Sequence, residues 1–115
     1  MGLGDLEREV MEVMWASPTS ALTVRDVGEH FPDHAYTTIL TVLSRLNAKG
    51  FLQEAKQGRL STFVPTASRE EYITGLILEA LSNTDDRQAA LAHFADALAP
   101  SDRSFFRKIF TRNAP

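Results

Sequence analysis

Thr37, Thr38, Thr41, Ser44 and Arg45 lie within one short stretch of the chain. On a helix turning about 100° per residue, Thr37, Thr41, Ser44 and Ala48 share one face. Leu40 flanks that face on one side, Thr38 and Arg45 on the other. The opposite face is Ile39, Val42, Leu43 and Leu46. An outward face of small hydroxyl side chains is unusual, because glutamate, lysine and glutamine form helices better than threonine. The chemistry it offers is hydrogen bonding rather than catalysis. A threonine hydroxyl reaches base edges or phosphates, its methyl meets the thymine methyl, and no carboxylate repels the DNA backbone. The unpaired N–H groups at the helix start, near Tyr36 and Thr37, can meet a phosphate oxygen. The plainer alternative is a set of exposed threonines held helical by packing alone.

The charge distribution agrees with the first reading. The chain of 115 residues carries a net charge of −3, yet Arg45, Lys49, Lys56 and Arg59 against Glu54 alone leave residues 36–60 at +3. Residues 1–35 stand at −5, with seven acids against Arg8 and Arg25. A local patch is what a polyanion feels within a Debye length.

No enzyme is legible. The absence of cysteine removes disulfides, thiolate metal sites and cysteine nucleophiles together, and fits a reducing, cytoplasmic setting. No Ser/His/Asp set, acid pair or phosphate loop stands out, so no catalytic residue and no cofactor is expected. His30 and His34 straddle Pro32 and do not share a helix face, so no metal site is expected either. Glu7, Glu9 and Glu12 read as a solvated acidic helix surface, and Met11, Met14 and Trp15 as core. No run approaches the roughly 18 apolar residues of a membrane span, and the opening residues do not form a signal peptide. No membrane partner is expected.

The elements that would position these groups follow from hydrophobic spacing. Leu6, Val10, Val13 and Met14 give a first helix over Asp5 to Ala16, broken at Ser17-Pro18-Thr19-Ser20. Thr23 with Asp26 forms a capping box for a short second helix burying Val24, Val27 and Phe31. The third helix runs from Ala35 to about Lys49, closed by Gly50. Runs at Phe51–Lys56 and Leu60–Pro65 flank Gln57-Gly58-Arg59 as a β-hairpin, with Arg59 at its tip. That order is a helix-turn-helix followed by a wing. Ser68 and Glu71 cap a further helix whose stripe is Tyr72, Ile73, Leu76, Ile77, Ala80 and Leu81. Leu91, Phe94, Ala95 and Leu98 mark another, and Phe105, Phe106, Ile109 and Phe110 a last one after Pro100. The fold class is mostly α with a small β-hairpin. Residues 1–66 form a winged helix-turn-helix domain and residues 67–115 a helical region.

Those C-terminal stripes are too apolar for solvated helices. Tyr72, Ile73, Leu76, Ile77 and Leu81, with Leu91, Phe94 and Leu98, then Phe105, Phe106 and Ile109, are the expected dimerisation residues. A two-fold dimer is the commonest oligomer and matches a palindromic site.

The runs Leu6-Glu7-Arg8-Glu9-Val10-Met11-Glu12-Val13-Met14-Trp15, Thr23–Val27, Tyr36–Leu52, Phe63-Val64-Pro65 and Ser68–Tyr72 resemble the penicillinase-repressor (BlaI/MecI) family. The match covers about residues 3–80, in order. The resemblance implies a winged-helix repressor, not an enzyme, that binds a palindromic DNA operator as a homodimer and controls β-lactam-response or related genes. Carried over by position, the DNA contacts fall on Thr37, Thr38, Leu40, Thr41 and Arg45, with Arg59 on the wing; Tyr36 and Lys49 join them from the residue reading. Leu40 stands where some relatives carry a basic residue. The family's β-lactam-responsive members are released by an inducing protease that cuts the dimerisation domain at an Asn-Phe bond. This chain has no such bond, the nearest being Asn83-Thr84 and His93-Phe94. The competing expectation is a protein-interaction winged helix that binds no DNA.

Overall fold

A computed structural model describes residues 2–17 and 21–113. Pro18, Thr19 and Ser20, in the expected break after the first helix, lie outside the described residues. The element order is α1 (Asp5–Ala16), β1 (Leu22–Thr23), α2 (Val24–Gly28), α3 (Tyr36–Ala48), β2 (Leu52–Gln57), β3 (Leu60–Pro65), α4 (Arg69–Leu81), α5 (Arg87–Ala97) and α6 (Pro100–Arg112). The chain divides into two compact units, Met1–Leu76 and Ile77–Pro115.

In the first unit, hydrophobic periodicity decides the packing. Val10, Met11, Met14 and Trp15 of α1 are buried with Val24 and Val27 of α2 and Ile39, Val42, Leu43 and Leu46 of α3. Leu52 and Phe63 bring the sheet onto the same core. Each such side chain contributes about 1.5–3 kcal/mol on burial, so the inward face of α3 is fixed by solvent exclusion. The buried side of α1 is turned slightly from the expected one: Met11 and Trp15 are inside, while Leu6 and Val13 are half-buried.

Local chemistry sets the ends. The Thr23 hydroxyl accepts from the Asp26 N–H and the Asp26 carboxylate accepts from the Thr23 N–H, both at 3.0 Å. At the end of α3, Gly50 takes φ +88°. Its N–H donates to the Asn47 carbonyl at 3.1 Å and that of Phe51 to the Leu46 carbonyl at 2.9 Å, a Schellman closure. The β2–β3 hairpin turns on Gly58 and Arg59, with Gln57 opposite Leu60. Positive φ at Gly58 alone is the sign pattern of a type II′ turn. A third strand, β1, was not legible in the sequence. It is two residues long and pairs Leu22 with Phe63 and Thr23 with Thr62.

Two ties hold other parts to α1. The indole N–H of Trp15 donates to the Ala67 carbonyl at 3.1 Å. Tyr72 then stacks on Trp15 with centroids 5.5 Å apart, and Phe51 meets Tyr72 edge-on at 5.5 Å. Arg69 sits over the Trp15 ring and pairs with Glu12. The first turns of α4 therefore pack within the first compact unit, which runs to Leu76.

The second tie corrects the reading of Glu7 as a solvated acid. Glu7 is only 6% exposed. Its carboxylate accepts from the Gly4 N–H at 2.8 Å and from the Lys49 ammonium at 2.9 Å on each oxygen. These bonds join the start of α1 to the end of α3. The Gly4 N–H first, then the Lys49 ammonium, hold the Glu7 carboxyl below its ordinary value of 4.5, with Arg45 adding a smaller pull.

A carboxyl with a depressed folded-state pKa stabilises the fold above its unfolded pKa and loses that contribution as pH falls. Chemical unfolding followed by circular dichroism is expected to show wild-type stability falling on acidification below about pH 5. Glu7→Gln is expected to be less stable at neutral pH by about 2 kcal/mol and to lose less on acidification. Equal pH slopes in the two proteins would contradict the assigned role. Gly50→Ala meets no atom within 4 Å but must hold a left-handed backbone. Its expected cost is about 1 kcal/mol in the same assay.

Candidate nucleic-acid interface

With Ile39, Leu43 and Leu46 turned inward, α3 presents its opposite side to solvent. Tyr36 is 61% exposed at its first turn and Leu40 is 38% exposed. Thr37, Thr41, Ser44, Arg45 and Ala48 are exposed and Thr38 is half-buried. The outward face read from the sequence is thus the outward face of the fold. No acidic residue occupies the first turn of α3.

At the start of α3 the first backbone N–H groups precede the intrahelical ladder. The N–H groups of Thr38 and Ile39 donate to the Ala35 carbonyl at 3.0 and 3.2 Å. Those of Tyr36 and Thr37 lie ahead of the first intrahelical bonds, where the helix carries partial positive charge.

The Thr41 hydroxyl donates to the Thr37 carbonyl at 2.8 Å. Its proton is thereby used and its lone pairs face outward. With its proton engaged in this rotamer, the Thr41 hydroxyl is left as a hydrogen-bond acceptor. Thr37, Thr38, Thr41 and Arg45 form one wall of a shallow depression whose other wall is Gly4, Asp5, Leu6 and Glu7.

Arg59 is exposed at the hairpin tip, and Lys56 is exposed on β2 nearby. The hairpin and α3 belong to the same compact unit, so both basic elements are carried by one core. Lys49 stands differently from Arg45 and Arg59. It caps α3, is half-buried, and its ammonium is held by both oxygens of Glu7. Glu7 is the site-proximal residue that the sequence reading missed. A signal was present: it stands three residues after Gly4, the position from which a glutamate reaches back to a helix N-cap.

The residues expected at a dimer interface divide between the units. Tyr72 packs on Trp15 and Phe51 inside the first unit. Ile73 and Leu76, on the same helix, are 45% and 37% exposed. In the second unit Ile77, Leu91, Phe94, Leu98 and Phe106 line one apolar hollow with Phe110. Phe105 is 62% exposed, Leu81 and Ile109 are half-buried, and no described residue of α5 or α6 is buried.

Comparisons with known proteins converge on one family. The penicillinase repressor family model matches residues 3–112. The chain is 39% identical over 112 residues to the transcriptional regulator BlaI of Mycobacterium tuberculosis, covering 92% of this chain and 80% of that protein. A solution structure of the DNA-binding domain of the repressor BlaI is 30% identical, with a TM-score of 0.52, over 61% of this chain and 87% of its own. The solution structure of monomeric Bacillus licheniformis BlaI in complex with the blaP half-operator is 31% identical, with a TM-score of 0.50, over 63% of this chain and 89% of its own. With the helix-turn-helix, the wing and the outward threonine face in place, the chain belongs to the penicillinase repressor family.

Proposed function

We propose that this chain is a DNA-binding transcriptional repressor that sets α3 in the major groove of a palindromic operator as a homodimer. The observation that carries the reading is the exposed Thr37, Thr38, Leu40, Thr41 and Arg45 face, backed by a buried apolar face. A helix about 10–12 Å across with its side chains fits a groove about 12 Å wide. Threonines on the leading face bring its backbone close to the base edges. Thr37, Thr38 and Thr41 read base edges, Leu40 packs on a thymine methyl, and Arg45 and Arg59 bind phosphate or groove edges. The N–H groups at Tyr36 and Thr37 fix the register on a phosphate oxygen. The similarity to a BlaI solved in complex with a half-operator supports DNA as the partner.

Dimerisation rests on the second unit. Phe94 at 43%, Phe105 at 62% and Phe110 at 68% exposure are large apolar surfaces for one chain to leave in water. A second copy burying them places two reading helices on one site, and two-fold symmetry then requires a palindrome. The family points to β-lactam-response or related genes. Release by an inducing protease acting on the C-terminal helices is the induction route this reading carries.

Fluorescence anisotropy on the duplex upstream of the chain's own coding region, against a scrambled duplex, tests the reading. Tight, salt-sensitive binding to the first duplex only is expected, with two chains per site. Thr41→Ala is expected to lower affinity for that duplex about tenfold and to leave scrambled-duplex binding unchanged. Arg45→Ala is expected to weaken both and to flatten the salt dependence. Equal weak binding of both duplexes, followed by failure of a genomic selection, would leave the protein-interaction reading in its place.

Sedimentation equilibrium tests the assembly. Wild type is expected as a dimer and Leu91→Glu as a folded monomer with much weaker operator binding. A monomeric wild type would remove the palindrome from the proposal.

A further inference from the structure

The Glu7 carboxylate has the chemistry of a phosphate: two anionic oxygens presented together to one ammonium. It stands in one wall of the depression whose other wall is Thr37, Thr38, Thr41 and Arg45. Both oxygens lie 2.9 Å from the Lys49 ammonium, and one also accepts from the Gly4 N–H. Glu7 is 6% exposed, and the Lys49 side chain retains 30% of its exposure. Lys49 is therefore a surface-reaching cation at the end of the reading helix whose charge is already matched inside the protein.

We propose that Glu7 is a specificity-determining residue of the DNA site: it occupies Lys49 in place of a DNA phosphate and keeps that lysine out of sequence-independent binding. The inference rests on the DNA-binding reading above. Its physical basis is the division of labour at a protein–DNA interface. Phosphate contacts add affinity for every sequence alike, whereas base-edge contacts add it only for the right one. A lysine on phosphate would raise operator and random-DNA affinity together. Matched by Glu7, Lys49 adds to neither and still anchors α3 on α1. The net charge of −3 works in the same direction, since it lowers general attraction to DNA. Glu7 touches no DNA and acts wholly through Lys49.

The test is the salt dependence of binding, with the full chain and a random-sequence duplex as the probe. Each phosphate neutralised by a cation steepens the plot of log affinity against log salt by about 0.9. Glu7→Gln is expected to steepen the slope by that amount and to raise random-duplex affinity severalfold at low salt. Glu7→Gln combined with Lys49→Gln is expected to return the slope to the wild-type value. Lys49→Gln alone, which does not depend on Glu7→Gln folding, is expected to leave the wild-type slope unchanged. A slope lower by about 0.9 in Lys49→Gln would show that the lysine already contacts phosphate and would overturn the proposal. So would an unchanged slope in Glu7→Gln whose circular dichroism is native. Wild type that binds neither duplex at low salt would instead bring down the DNA-binding reading, a result distinct from either slope.

Discussion

One side of α3 has to leave water, and the rest of the interface follows from that. Ile39, Val42, Leu43 and Leu46 are buried against Val10, Met11 and Met14 of α1, Val27 of α2 and the sheet residues Leu52 and Phe63. Side chains on a helix are rigidly related in angle, so fixing this face fixes the opposite one. Thr37, Thr41, Ser44 and Arg45 are outward because four apolar residues are inward. Losing a buried leucine here would cost about 2–5 kcal/mol and would release the angular constraint along with the stability.

Electrostatics refines what burial sets up. Four basic residues make residues 36–60 positive, yet the fold divides them into two kinds. Arg45, Lys56 and Arg59 are exposed, while Lys49 is matched by a buried carboxylate from a helix 42 residues away. The same carboxylate completes the N-terminal capping of α1. One buried acid thus closes the start of one helix and the end of another. The positive charge left for a polyanion is smaller and more localised than the sequence sum.

The second unit rests on a different balance. Its helices have local start signals, Asp86 accepting from the Ala89 N–H at 3.0 Å at α5 and Pro100 opening α6. None of its described residues is buried, although Leu91, Phe94, Phe105 and Phe110 are large and apolar. Helices with local start signals and open apolar faces have local order but little core of their own. A two-fold partner supplies the missing apolar contact in the function proposed here.

Short-range chemistry was legible in the order of residues. The spacing of Ile39, Val42, Leu43 and Leu46, the Thr23–Asp26 and Ser68–Glu71 boxes, and Gly50 and Gly58 at their turns act across a few residues, so the sequence by itself determined the helices, the hairpin and the outward threonine face. Contacts made across long separations were not legible, because nothing local encodes a partner. The tertiary structure alone decided that Leu22 and Thr23 form a third strand on β3 and that Tyr72 lies against Trp15 rather than with the later stripe. It also decided that Glu7 lies inside, holding Lys49. A carboxylate three residues into an acidic helix looks solvated in sequence. The Gly4 N–H is local, but only packing brings the Lys49 ammonium that makes its burial favourable.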